Sequence, residues 1–220
     1  IQEAIDEAED GDIVLVQPGE YIENIDFSGK DLILGSRFLS TGEEQFIDET
    51  VIDGNGEGNV VTIANGESED AVLAGFTITN GASVSGSGII VDGAFPRLHD
   101  LMITGNTAEE NGGGISISNA SPLVERCWIF GNTASDLGGG VASVSGSNPL
   151  FRYCVLFDNF ADYGAAAASL EEGAINFEFC TIYGNEAGEG GGATFCQDEG
   201  LLEISNSIIW GNEPNALENA

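Results

Sequence analysis

"GNTASDLGGGV" at residues 131–141 repeats, 26 residues on, the pattern of "GNTAEENGGGI" at residues 105–115. An Asn, a short acidic stretch and a glycine run recurring over that distance cannot come from one helix or one hairpin. Outward from this pair the same register continues. Asn80 in "TITN", Asn106, Asn132, Asn159 in "LFDN", Asn185 in "IYGN" and Asn212 in "IWGN" are spaced 26, 26, 27, 26 and 27 residues apart. A fixed period of this length marks a stacked repeat. Eight residues before the last five Asn stand Leu98, Val124, Phe151, Phe177 and Ile204, and three before stand Ile103, Ile129, Leu156, Ile182 and Ile209. Both columns are unbroken and apolar. Five before stand the small or apolar Leu101, Cys127, Cys154, Cys180 and Ser207, and short runs such as "CWIF" alternate as strands buried on one face do.

Helical arrays are excluded because Gly and Asn, both poor helix formers, recur where helix would be needed. Leucine-rich repeats lack their Leu-x-x-Leu-x-Leu spacing here. What remains is an all-β chain: a single-stranded parallel β-helix with coils of 26–27 residues, stacked about 4.8 Å apart. Each Asn is expected at a coil corner, in the left-handed region, its amide bonded to the next in an internal ladder. The glycines of 112–114, 138–140 and 190–192 are expected to restart a strand with positive φ. In the fourth coil Ala165 and Ala166 replace the second and third Gly, which asks for small size there.

One domain spans 1–220. Residues 1–10 read as a helix capping the first coil, with Ile1, Ala4, Ile5 and Ala8 on one face and Gly11 as the stop. Residues 11–75 are less regular first coils with a surface insertion at "RFLSTGEEQFIDE", 76–212 are the ladder coils, and 213–220 form a tail. That tail lacks a cap pattern, so the last coil is a candidate surface for self-association.

Composition narrows function. The formal net charge of −32, with five Lys and Arg, repels nucleic acid and anionic membranes. No apolar run approaches a membrane span. The chain opens on Ile1, not Met, as one whose leader has been removed would. Acidity on this scale fits solubility, a saline habitat, or specific cation sites.

The segments "IQEAIDEAEDGDIVLVQPGEY", "VIDGNGEGNVVTI", "GFTITNG" and "SIIWGN" resemble right-handed parallel β-helix, pectin-lyase-like proteins that bacteria secrete or display. The "GN…GGG" coils are similar to those of polymorphic outer membrane proteins, although Ile or Leu stands where their Phe-x-x-Asn repeat has its aromatic. The resemblance implies an extracellular or cell-surface location and contact with polysaccharide or another surface protein. Enzymes of this fold cleave acidic polysaccharides with a Lys, Arg or His base, or with paired carboxylates. Asp-Asp, Gly-His-Gly and Arg-x-Lys segments do not occur here. The only base-like cluster is His99 with Arg97 and Asp100, and a second place for a base and a metal is the first coils near Lys30, Arg37 and Asp53.

Two columns remain as candidate sites. Phe130, Phe157, Tyr183 and Trp210, two before each Asn, with Trp128 four before Asn132, should point outward as a partner or sugar-stacking face or fold back over the core. Glu110, Asp136, Asp162 and Glu189 follow their Asn by four, four, three and four residues; stacked, they either splay into water or share a hard cation, for which calcium is the candidate. No other cofactor is implied. The cysteines read as buried free thiols, since stacked parallel side chains suit a disulfide poorly. The function expected is a non-catalytic scaffold for adhesion, glycan contact or extracellular assembly, with a polysaccharide lyase or glycoside hydrolase as the alternative.

Overall fold

Each apolar column becomes the inward face of a parallel sheet. The computed structural model describes residues 1–214 and 217–219, and among these the strands form three sheets of eight and one of five. The first sheet runs from Ile13–Val16 through Arg97–His99 and Leu123–Glu125 to Leu201–Ser205. The second runs from Gly19–Ile22 through Met102–Thr104 and Trp128–Phe130 to Ile208–Trp210. Ile25–Asp26 begins the third, which ends on Leu217–Asn219. Every strand pair of these sheets is parallel, and Leu98, Val124, Phe151, Phe177 and Ile204 lie in one register. The chain is thus an all-β right-handed solenoid. Its core is one continuous cluster along the axis, in which each fully buried Leu, Ile or Phe contributes about 1.5–3 kcal/mol.

The five-stranded fourth sheet, Ala82–Ser85 to Glu186–Gly190, lies between second and third in the chain path. Ala108, Ala134 and Ala161 pack as a seam of small side chains beneath it.

α1 (Gln2–Glu7) is shorter than the expected 1–10, because Ala8 is already extended. Ile5 is fully buried, with Ile1 and Ala8 against the same core, whereas Ala4 faces solvent: a helix this short presents only its central apolar residue squarely to the coil end. The Gln2 amide completes the strand edge, donating to the Asp26 carbonyl (3.1 Å) and accepting from the Asp26 N–H (2.7 Å). Lys30 Nζ donates to the carbonyls of Ile5 and Asp6, both at 2.8 Å, at the helix C-terminus where a cation is favoured. The tail is not irregular throughout: Leu217–Asn219 pairs with Thr194–Cys196 as a further rung, while residues 215, 216 and 220 lie outside the described residues.

The Asn ladder runs from Asn106 to Asn212. Its side chains are buried, and the amide of each donates to the next Oδ1 at 3.0, 3.1, 2.9 and 2.8 Å. Asn80 is not a rung. The turn it belongs to pairs Ile78 with Ile103, an offset one residue short, so Gly81 takes the ladder place and its N–H donates to Asn106 Oδ1. Asn80 instead takes the left-handed conformation (φ 56°) and bonds Asp53. The same shift corrects the expected corner: the left-handed residue is the one before each rung, namely Gly105, Gly131, Asp158, Gly184 and Gly211. That frees the rung Asn to keep its amide pointed inward.

Of the glycine runs, only Gly112, Gly138 and Gly191 have positive φ, and the third run is displaced by one residue because Gly190 pairs with Tyr163. The second glycine is demanded by space: a Cβ on Gly139 would strike the Phe160 carbonyl.

Cys127, Cys154 and Cys180 form a second polar column, each Sγ directed at two backbone carbonyls, such as Val124 and Arg152 for Cys154 (both 3.4 Å). All four cysteines are free and buried. Burial pushes the thiols of Cys154 and Cys196 up, and Cys180 is raised by its hydrogen bond with Cys154 and then by burial. A protonated, enclosed thiol is a poor nucleophile. A thiol-specific reagent at neutral pH is therefore expected to label no cysteine of the native protein and all four after denaturation; fast labelling of the folded chain would contradict this packing.

No helix among the described residues is long and apolar enough to cross a membrane.

Candidate functional site

The insertion between the first and second sheets folds into α2 (Phe38–Thr41) and α3 (Gln45–Asp48). Leu39 occupies the space a Cβ on Gly35 would take, which lets α2 lie against the first sheet. Phe46 is buried, and the Arg37 guanidinium lies 5.1 Å from its ring centroid. So anchored, α3 overhangs the corner between the two sheets and closes a cleft of about 550 Å³. Glu44, Ile47 and Asp48 form one wall, and Met102, Arg126, Trp128 and Tyr153 the other.

That corner column, Asp100, Arg126, Tyr153, Phe179 and Asn206, is left-handed throughout. The conformation turns these side chains outward, where they meet their neighbours one coil away. Arg126 holds Asp100 through two bonds (Nε to Oδ1 2.9 Å, Nη2 to Oδ2 2.8 Å), and His99 Nδ1 is 2.7 Å from Asp100 Oδ2. Burial works to raise the Asp100 carboxyl, but the hydrogen bonds with His99 and Arg126 outweigh it and hold the group below its ordinary value. The same pairing raises Arg126. Tyr153 stacks on Phe179 at 5.2 Å.

Of the expected base-like cluster, His99 and Asp100 are together, but Arg97 points out of the first sheet and the partner cation is Arg126, from the next coil. Lys30, Arg37 and Asp53 do not form a site: the first two hold α1 and Phe46, and Asp53 accepts from Asn80 and from the Asn55 N–H, both at 2.7 Å.

The aromatic column lies on the outer face of the second sheet. Phe130, Phe157 and Tyr183 are half-buried and stack nearly parallel, with centroids 4.7 and 5.2 Å apart, and Trp210 continues the stack at 6.1 Å. Rings stacked on one another leave their edges to solvent, so the column is not a row of equal platforms. Trp128 stands apart, 51% exposed and edge-on to Phe157 at 81°, beside Tyr153 at 52%. Trp128 and Tyr153 thus put two open rings side by side at the cleft, with Phe179, 48% exposed, stacked behind Tyr153. Trp210 (64% exposed), Phe95 (50%) and Phe160 (40%) are open rings elsewhere on the surface.

Glu110, Asp136, Asp162 and Glu189 are all exposed along the fourth sheet. Glu110 and Asp136 stack in register; an irregularity between Ala161 and Tyr163 then offsets Asp162 from Glu189 and sets it against Gly188. Among the described residues no group of three or more acidic, His or Cys side chains is gathered to hold a metal.

Glu44, Asp48, Arg126 and Tyr153 did not stand out in the sequence. The corner residues could have been found, since Asp100, Arg126 and Tyr153 follow the 26–27 residue period. The insertion that carries Glu44 and Asp48 was visible, but nothing in the repeat says which coils it packs against.

Parallel rungs, an amide ladder and a lateral cleft define a β-helix repeat protein. The chain belongs to the right-handed β-helix family: the model described as "Right handed beta helix region" matches residues 36–219. No curated protein matches the chain. The family fits a scaffold or a polysaccharide-related role.

Proposed function

We propose that this protein is a non-catalytic, secreted or surface-displayed scaffold of the pectin-lyase-like kind that contacts glycan at the cleft beneath α3. The observation that carries the proposal is the pair of half-exposed rings, Trp128 and Tyr153, beside the polar groups of Arg126, Glu44 and Asp48. An open aromatic face with hydrogen-bonding groups around it suits a sugar ring, which has an apolar face and a polar rim. The stacked rings behind Trp128 give it a rigid base. Adhesion or extracellular assembly would follow from display of this face, and calcium on the acidic column would be an accessory to it.

Calorimetric titration of soluble polysaccharides is expected to find a ligand whose affinity falls about tenfold or more in Trp128→Ala, about 1.4 kcal/mol per decade, with unchanged circular dichroism. Binding unaffected by that substitution would remove the cleft from the proposal. The second reading, a lyase or hydrolase, is favoured by the His99–Asp100 pair at the edge of the cleft. New reducing or unsaturated ends, lost in His99→Ala, would replace the scaffold with an enzyme.

A further inference from the structure

We infer that the cleft selects a cationic sugar, a residue carrying a protonated amine. This rests on the glycan reading above and specifies the ligand it takes. The only basic side chain among the cleft's lining residues is Arg126, and both arms of its bond to Asp100 are closed, so its charge is already balanced within the wall. Glu44 and Asp48, opposite, have no ion pair or side-chain hydrogen bond among the described residues, and both are exposed. The uncompensated charge facing the cleft is therefore negative.

The remaining polar–apolar pattern is equally specific. Trp128 and Tyr153 supply ring faces and edges across from two carboxylates, an arrangement that attracts an ammonium group through both charge and the aromatic quadrupole. A uronate or a phosphorylated sugar would meet Glu44 and Asp48 with like charge, in a chain whose net charge of −32 already repels anions. A neutral sugar would stack but leave the two carboxylates without a counter-charge. An amino sugar uses both walls, its ring against Trp128 and its ammonium toward Glu44 and Asp48.

The test uses a fully deacetylated glucosamine oligomer and its N-acetylated counterpart, titrated by calorimetry at pH 6 into the whole protein, Glu44→Gln/Asp48→Asn and Trp128→Ala. The deacetylated oligomer is expected to bind at least tenfold tighter, and that preference to weaken as salt is raised. It should collapse to within about twofold in Glu44→Gln/Asp48→Asn while the N-acetylated oligomer is unaffected, and Trp128→Ala should weaken both. The inference is overturned if the two oligomers bind alike, or if the preference survives Glu44→Gln/Asp48→Asn, which would assign it to the acidic surface at large. Binding of oligolysine with no binding of either oligomer also overturns it, in favour of a basic peptide. Equal binding that still depends on Trp128 leaves the glycan reading standing and removes only the amine. If no oligomer or polysaccharide binds at all, both fall.

Discussion

Asn132→Leu is expected to destabilise the protein by about 2–4 kcal/mol, a large share of the roughly 5–15 kcal/mol that holds a typical domain folded. Asn132 is bonded on both sides. Its Oδ1 accepts from the Asn106 N–H (3.1 Å) and the Asn106 amide (3.0 Å), and its Nδ2 donates to the Ile103 carbonyl (2.8 Å) and to Asn159 Oδ1 (3.1 Å). Leu fills the space but offers no polar atom. The Asn106 N–H is then stranded where water does not reach, at about 1–3 kcal/mol, while the Ile103 carbonyl, in register with the next strand, loses its second bond, at about 0.5–1.5 kcal/mol. The Asn106 amide is spared, because it also donates to the carbonyls of Ile78 and Thr104. Asn212→Leu should cost less, since that rung is 7% exposed and water can replace part of what is lost. Urea denaturation of the two variants reads the difference. Equal, small shifts in midpoint would mean that the ladder is a consequence of the fold and not a support of it.

Phe151→Ala is expected to cost about 3–5 kcal/mol, the range for a large aromatic removed from a close-packed core. Phe151 is fully buried, and its ring lies 5.3 Å from that of Phe177 at 38°. The solenoid interior is narrow. Parallel rungs above and below fix the backbone, so the cavity cannot close by a shift of one strand alone. Ile204, in the same column but half-buried, should lose markedly less on substitution by Ala. A thermal or urea series at Val124, Phe151 and Ile204 would check this gradient, and a loss below about 1 kcal/mol at Phe151 would show that the core relaxes freely.

The fold was legible because its cause is periodic. Leu98, Ile103 and Asn106 recur at nearly constant spacing, and a column of one residue type has few explanations other than stacking. The details that escaped are those that depend on one residue of register. Asn80 carries the same letter as the rungs yet precedes the ladder place, since its turn is shorter, and the left-handed corner falls one residue earlier than the Asn that advertises it. The candidate site was legible only in part. Trp128 was visible as an outward aromatic, but its separation from the stack depends on ring orientation, and Glu44 and Asp48 reach it only because Phe46 and Leu39 pin the insertion back on the body. Such contacts are tertiary and leave no period.

Among the described residues, each interior turn of this solenoid is bonded to the turns on either side of it, by rungs and by amides that repeat along the axis. The path of the chain and the path of a mechanical load are therefore the same. Sideways, the molecule is a stiff rod, because bending must compress or open several sheets together. A pull along the axis instead opens one seam at a time, and each seam pays out the 26 residues between successive rungs such as Asn106 and Asn132, roughly 90 Å of extended chain. The repeat that builds the core thus also stores length in equal portions, released in steps.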